Sequence, residues 1–312
     1  MKTLRLGTRG SRLALVQARH VQQILQKSIP DLHIEEVIIR TLGDNVTGVP
    51  LFQVGGQGLF IREIERALQS QDIDLAVHSL KDMPHALGEG LTLAAVTTRA
   101  DARDVLISRA GESLAQLASG ARIGTSSLRR QAQLLSLRPD LSFVALRGNL
   151  DTRLKKLEAG EADAIVLAAA GLERLGLSAH CTQFFSFDEL TPAAGQGALG
   201  LECRSADLEL LTPILAPLID VSSQTAAQAE RAFLAAVEGG CQVPLGVHAT
   251  LDNSTLFIRA CIGDPRGCRI VRKTISGPAT QAAELGRTIA AHLLDQGGRE
   301  ILGTLRRPPD DR

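Results

Sequence analysis

The chain has neither tryptophan nor tyrosine, and eight phenylalanines are the whole aromatic content of its 312 residues. Aromatic stacking is therefore not its main means of recognition. Net charge is missing as well, since 34 Lys and Arg balance 34 Asp and Glu. This excludes a general basic surface for nucleic acid or an anionic membrane, so any positive density must be local. No apolar run reaches the roughly 18 residues of a membrane-crossing helix. The opening MKTLRLGTRGSR has no apolar core of a secretory signal before its charges. A cytoplasmic enzyme or binding protein is expected, with no membrane and no nucleic-acid partner. The cysteines (Cys181, Cys203, Cys241, Cys261 and Cys268) form no Cys-x-x-Cys pair. Cys261 and Cys268 have a spacing that a hairpin would close, but a disulfide or zinc site is the weaker reading and no metal is expected. Lysine is scarce, 6 against 28 Arg. Genome composition explains that ratio, yet it draws attention to each lysine that remains.

The length suits two or three domains with cores of their own. Two segments look alike: RLGTRGSRLALVQARHV from Arg5 and RIGTSSLRRQAQLLSL from Arg122. Each has an R-[LI]-G-T opening, a Ser-containing turn and helical apolar spacing. Each is followed by a β-rich run (HIEEVIIRT; LSFVALRGN), a further helical stretch, and an apolar strand after acidic residues (DIDLAVHSL; EADAIVLAAAGL). This is the βαβ pattern of a parallel sheet, read as an internal duplication. The first copy carries a long insertion, Thr41 to Gly58, with five glycines. A loop of that length in a compact domain is usually functional or mobile, and it is expected to act as a lid over a cleft between the domains. After AAGQGALGL the chain is expected to cross back to the first domain. A third unit begins near Pro217: a helix with Ser222 or Ser223 as cap that stops at Gly239-Gly240, strands over GVHATL, TLFIRACI and RIVRKTIS, and a closing amphipathic helix. The tail RRPPDDR is expected to be disordered.

Arginine is concentrated between Arg122 and Arg153, where Arg129, Arg130, Arg147 and Arg153 fall at two strand–helix turns. Ser11, Ser126 and Ser127 stand where helices begin. Each can be an ordinary N-cap. With Arg9 or Arg129 beside a helix N-terminus, each can equally be part of an anion site, and the guanidinium fork suits carboxylates. The pattern occurs in both halves, which favours two facing sites for a small polyanion. Lys81 and Asp82 follow the strand DLAVHSL, at the end where open α/β sheets place ligands. A surface ion pair is the plain alternative. Asp82 is read as the only acid among strand-end turns otherwise lined by arginines, suited to stabilising a cation or moving protons. His78 reads as a satisfied core histidine. Cys241 follows two glycines that can present its thiol on a loop, although a free cysteine is more often a small buried hydrophobe.

The blocks RGSRLAL, VGGQGLF, AVHSLKDMP, GTSSLRRQ, LRGNLDTR, AAAGLERLG, AAGQGALGLECR and EGGCQVPLG occur in order from residue 9 to residue 246. Together they closely resemble the porphobilinogen deaminase (hydroxymethylbilane synthase) family. The resemblance implies two periplasmic-binding-protein-like (type II) α/β domains and a small C-terminal α+β domain: 1–97 with 198–216, 98–197, and 217–312. It implies a dipyrromethane cofactor held by a thioether on Cys241, which primes stepwise addition of four porphobilinogens with loss of ammonia before hydrolysis releases linear hydroxymethylbilane. Asp82 matches the catalytic carboxylate. Lys81, Ser127, Arg129 and Arg130 match cofactor-binding positions, and Arg9, Ser11, Arg147, Arg153 and Arg174 match substrate-binding positions. A monomer is expected.

A chain of six pyrrole rings would carry about twelve carboxylates against the seven cations just named, so helix N-termini, hydroxyls and water must contribute and the same arginines must serve successive rings. The chain departs from the family pattern at Gln53 and Gln57, where many members have lysines; glutamine can still hydrogen-bond a carboxylate there but supplies no charge. Two other readings compete: an anion-binding protein of the periplasmic type, and a cysteine-nucleophile enzyme, which would need a histidine near Cys241 where His248 falls in the next strand.

Overall fold

The computed structural model describes residues 3–41, 61–146, 148–238 and 243–306. Gln53, Gln57 and the rest of the loop 43–58, Arg147, Gly239, Gly240, Cys241 and the tail after Arg306 lie outside these residues. The chain forms two compact units, one of residues 1–100 with 195–224 and the other of 101–194 with 225–312.

In the first unit, β1 (Thr3–Arg9), α1 (Arg12–Ser28), β2 (His33–Ile39), α2 (Arg62–Gln69), β3 (Leu75–Ser79) and β4 (Leu91–Val96) are joined by a returning strand, β10 (Leu199–Arg204). The sheet order is β2-β1-β3-β10-β4, with β10 antiparallel to both neighbours. The sheet is apolar on both faces, as a largely parallel sheet covered on each side must be. Leu4, Leu6, Leu75 and Val77 pack with Ala18, Val21 and Leu25 of α1 and with Leu211 and Leu215 of the later helix α6 (Leu208–Leu215). Ala76 packs on the other face with Ile64 and Leu68 of α2.

The second unit repeats the plan. It contains β5 (Asp104–Ser108), β6 (Arg122–Gly124), α3 (Leu128–Leu137), β7 (Ser142–Val144), α4 (Leu150–Glu158), β8 (Ala164–Ala168), α5 (Ala169–Arg174) and β9 (Gln183–Phe184). The order is β7-β6-β8-β5-β9, with the antiparallel strand again in fourth place. This is the doubled type II α/β plan. The duplication extends to single contacts. Arg5 donates to Asp74 from its backbone N–H (3.0 Å) and its guanidinium (2.7 Å), and Asp74 N–H returns to the Arg5 carbonyl at 2.9 Å. Arg122 and Asp163 make the same three contacts at 2.8, 3.1 and 2.9 Å. The shared glycine has a steric cause in both copies. A Cβ on Gly7 would lie 2.3 Å from Ile73 Cδ1, and one on Gly124 would lie 2.3 Å from Leu146 Cδ1.

The second unit also holds an antiparallel sheet, β11 (Leu245–Asp252), β12 (Thr255–Gly263) and β13 (Ile270–Pro278), which packs with α7 (Val221–Ala236), α8 (Ala282–Leu293) and α9 (Arg299–Arg306) around Phe233, Val247, Ile258 and Ile289. Two local expectations change. The β-rich run LSFVALRGN gives only three strand residues, because Leu146 N–H turns back onto the Val144 carbonyl at 2.9 Å. The helix starting at Val221 is capped not by a serine but by Asp220, whose carboxylate accepts Ser223 N–H at 2.7 Å. The Ser223 hydroxyl accepts Arg99 N–H instead, at 3.0 Å.

Candidate active site

In the first unit the site is built where β1 and β3 end. β1 finishes at Arg9, and Ser11 caps the 17-residue α1, its hydroxyl accepting Ala14 N–H at 3.3 Å. The capping reading of Ser11 therefore holds, and the cap leaves the helix N-terminus at the same strand ends. β3 finishes at Ser79, whose hydroxyl takes a 2.9 Å bond from Gln17 of α1. The chain then makes one short helical turn, Leu80–Asp82, closed by Met83 N–H on the Leu80 carbonyl at 3.1 Å. Buried Leu80 anchors the turn and so presents Lys81 half-buried and Asp82 exposed. Arg9, Ser11, Gln17, His78, Ser79 and Asp82 line one small cavity of about 70 Å³. A carboxylate, an arginine and hydroxyls at one helix N-terminus can hold an anion and face a developing cation together.

His78 is buried, as expected of a core residue, but its Nε2 makes no hydrogen bond. Its Nε2 lies 3.0 Å from Glu202 Oε2, an ion-pair distance at which neither atom makes a hydrogen bond. Glu202 is fully buried on β10. The composition of the strand gave no sign of this pair, because β10 is far away in sequence.

In the second unit Ser127 caps α3, accepting Arg130 N–H at 3.5 Å, while Ser126 donates to the Leu146 carbonyl at 3.4 Å. Arg129 and Arg130 do not stand in open turns. Both are 6 % exposed and both bond Asp104, Arg129 Nη1 to Oδ2 and Arg130 Nη2 to Oδ1, each at 2.7 Å. Arg129 also donates to the Thr191 carbonyl and Arg130 to the Val166 carbonyl, each at 2.8 Å. Burial works to raise the Asp104 carboxyl, but the two guanidiniums overcome it and hold the group well below the usual carboxylate range. Burial pushes Arg130 below its ordinary value, against the pull of Asp104.

Asp104 corrects the expectation that Asp82 is the only acid at the strand ends. It opens β5, and because β5 runs antiparallel its first residue pairs with Ala168, the last of β8. Sequence reasoning missed it because the sense of a strand is not written in DARDVLIS. Thr191 and Gln133 were missed too, since neither belongs to a recognisable spacing. Gln133 Oε1 accepts Thr191 N–H at 2.8 Å and Arg272 Nη1 at 3.0 Å.

Arg153 donates to the Gly148 carbonyl at 3.1 Å beside the N-terminus of α4, which Asn149 caps by accepting Thr152 N–H at 2.9 Å. Arg174 ends α5, and burial lowers its guanidinium from the ordinary value while Glu173 opposes the shift. A larger hollow of about 470 Å³, lined by Leu135, Pro139, Cys268 and Arg272, lies at the other end of α3 from Ser127. None of its lining residues is singled out as a site residue by the sequence. Among the described residues no three metal-ligating side chains cluster, Cys181, Cys203, Cys261 and Cys268 are all free thiols, and no helix is long and apolar enough to cross a membrane. His248 is buried on β11 with its ring 4.1 Å from that of Phe187.

The sequence comparison decides what these two ends belong to. Residues 4–212 match the family model "Porphobilinogen deaminase, dipyromethane cofactor binding domain", and residues 224–295 match "Porphobilinogen deaminase, C-terminal domain". The chain belongs to the porphobilinogen deaminase family. It is 51 % identical over 302 residues to the porphobilinogen deaminase of Syntrophotalea carbinolica, covering 97 % of this chain and 96 % of the relative. It is 52 % identical over 301 residues to that of Roseiflexus sp. strain RS-1, covering 96 % and 99 %. Among solved structures it is similar to the periplasmic aliphatic sulphonate binding protein SsuA of Escherichia coli, with 14 % identity, 76 % and 71 % coverage and a TM-score of 0.42. The deaminase family's dipyrromethane group carries carboxylates on both rings. The second unit fits such a group, since two buried guanidiniums share one carboxylate at a helix N-terminus and, among the described residues, leave one positive charge in excess.

Proposed function

We propose that this chain carries out the porphobilinogen deaminase (hydroxymethylbilane synthase) reaction with Asp82 as its catalytic carboxylate and Cys241 as the thioether anchor of dipyrromethane. Lys81, Ser127, Arg129 and Arg130 hold that cofactor, and Arg9, Ser11, Arg147, Arg153 and Arg174 hold the substrate's acetate and propionate groups. The reaction condenses four porphobilinogens head to tail with loss of ammonia, then releases linear hydroxymethylbilane by hydrolysis. When bound, dipyrromethane supplies the pyrrole carbon to which substrate units are added. With the aminomethyl group of porphobilinogen protonated to the ammonium, its C–N bond breaks with the electron pair leaving on neutral ammonia, and the pyrrole becomes a cationic azafulvenium. A carboxylate on a short rigid turn stabilises that charge without reorganising. The same oxygens can take up the proton released when the new carbon–carbon bond forms. Arg9 and the α1 N-terminus orient the substrate by its carboxylates, away from the reacting methylene.

The observation that carries the cofactor assignment is the unbalanced pair of guanidiniums at α3. A buried positive charge in excess is costly unless an anion completes it. Asp104 also takes one of the seven family-matched cations out of the count, so successive rings must share fewer charges than the sequence suggested. The test is the intact mass of purified protein. A mass excess of two linked pyrrole units, abolished in Cys241→Ala, is the expected result, and an unmodified but active protein would overturn the reading.

The reading includes a monomer in the cytoplasm, to be checked by sedimentation velocity and cell fractionation. It keeps a three-domain division at 1–97 with 198–216, 98–197 and 217–312, which limited proteolysis tests by where it cuts.

A further inference from the structure

We propose that Gln133 and Arg272 are positioning residues for cofactor binding, and that they act by fixing Thr191, whose carbonyl holds Arg129. This rests on the reading of Arg129 and Arg130 as cofactor-binding groups. Gln133 lies one helical turn after Arg129 on α3 and is 1 % exposed. Its amide uses its full bonding capacity. Oε1 accepts Thr191 N–H at 2.8 Å and Arg272 Nη1 at 3.0 Å, while Nε2 donates to the carbonyls of Thr191 at 3.0 Å and Arg129 at 3.3 Å.

One side chain thus grips both backbone groups of Thr191. The carbonyl it grips is the one that takes Arg129 Nη1 at 2.8 Å. The other side of the segment rests on β11. Val247 N–H donates to the Pro192 carbonyl at 2.9 Å, and a Cβ on Gly246 would lie 2.7 Å from the Thr191 oxygen. In sequence β11 begins four residues after Cys241. The junction therefore ties the strand that follows the cofactor cysteine to the helix end that carries the anion-binding arginines.

Arg272 strengthens the amide orientation that Thr191 N–H and the two carbonyls already favour. It reaches from β13 to donate to Oε1, and a guanidinium can only donate. A flipped amide would aim Nε2 at Arg272 and Thr191 N–H, and Oε1 at two carbonyl oxygens. Removing Arg272 weakens the bias toward the state that holds Thr191. Replacing Gln133 by glutamate keeps the acceptor but sets a carboxylate oxygen against the carbonyls of Thr191 and Arg129. Misplacement of a binding group by even ~1 Å can be expensive for a bound ligand.

The experiment follows cofactor uptake by apo-protein, produced in cells that make no porphobilinogen and then given porphobilinogen, with intact mass as the readout per folded molecule. Gln133→Glu and Arg272→Met are expected to slow uptake about tenfold or more, with Arg272→Lys recovering part of the loss. Arg130→Met serves as the control for the underlying reading. Uptake at the wild-type rate in folded Arg272→Met and Gln133→Glu, with Arg130→Met defective, would overturn the positioning role alone. Normal uptake in Arg130→Met would overturn the anion-site reading and this inference with it. If Gln133→Glu does not fold, the exposed Arg272→Met and its lysine rescue decide the matter.

Discussion

The two α/β halves have the same strand order and the same Arg–Asp bracket, yet they spend an acid at the ligand end in opposite ways. In the first half Asp82 rides on a short turn and is exposed. In the second half Asp104 is fully buried and occupied by two guanidiniums. The difference shows that the frame does not set the role of a carboxylate. What sets it is where the chain carries the acid. On a short exposed turn, as at Asp82, it faces solvent, while at the start of an antiparallel strand, beneath a helix carrying Arg129 and Arg130, it is buried and bonded by both guanidiniums.

The sharpest way to break this contrast is to neutralise each acid in turn. Asp82→Asn should lower kcat by about 10²–10⁴-fold with the fold and the attached cofactor retained, read by steady-state rates and intact mass. Near-normal turnover would remove the carboxylate from the chemistry. Asp104→Asn should act on stability first. It leaves two buried guanidiniums facing each other, so a loss of about 3–5 kcal/mol in urea unfolding is expected. Arg130→Met should be gentler on the fold, because Arg129 and Asp104 remain a matched pair, but it should impair cofactor assembly.

The smallest effects test the shared frame. Asp74 is nearly buried and serves both Arg5 and Arg204, whereas Asp163 is a third exposed and serves Arg122. Asp74→Asn should cost about 2 kcal/mol, and Asp163→Asn about 0.5 kcal/mol after solvent screening. Burial tends to raise Asp74, but Arg5 and Arg204 bring it below its ordinary value. Asp163 is lowered chiefly by its bond from Arg122. Both groups therefore contribute stability that is fully present above the unfolded carboxylate value and is lost as pH falls through the lower folded value. Acid unfolding of Asp74→Asn should show a shallower pH dependence than wild type, and equal slopes would contradict the assignment.

Much of this was legible in the sequence. The repeated R-[LI]-G-T opening located both first strands, and the capping serines Ser11 and Ser127 stood at both helix starts. Lys81 and Asp82 could be placed at a strand end from the run before them. What was not legible depended on partners far apart in the chain. The role of Asp104 requires knowing that β5 runs against β8. The His78–Glu202 pair requires the register of β3 with β10, and Gln133 gains its meaning only from Thr191 and Arg272. Local periodicity reports which face of an element is apolar, but it carries no information about which polar group lies opposite.

The most direct test of the division of labour is intact mass spectrometry of Asp82→Asn and Arg130→Met, each measured before and after mixing with porphobilinogen. The account expects Asp82→Asn to carry the cofactor mass but to gain substrate increments far more slowly than wild type, and it expects Arg130→Met to be deficient in the cofactor mass itself. The opposite pattern, with Arg130→Met fully loaded and Asp82→Asn elongating at the wild-type rate, would contradict it.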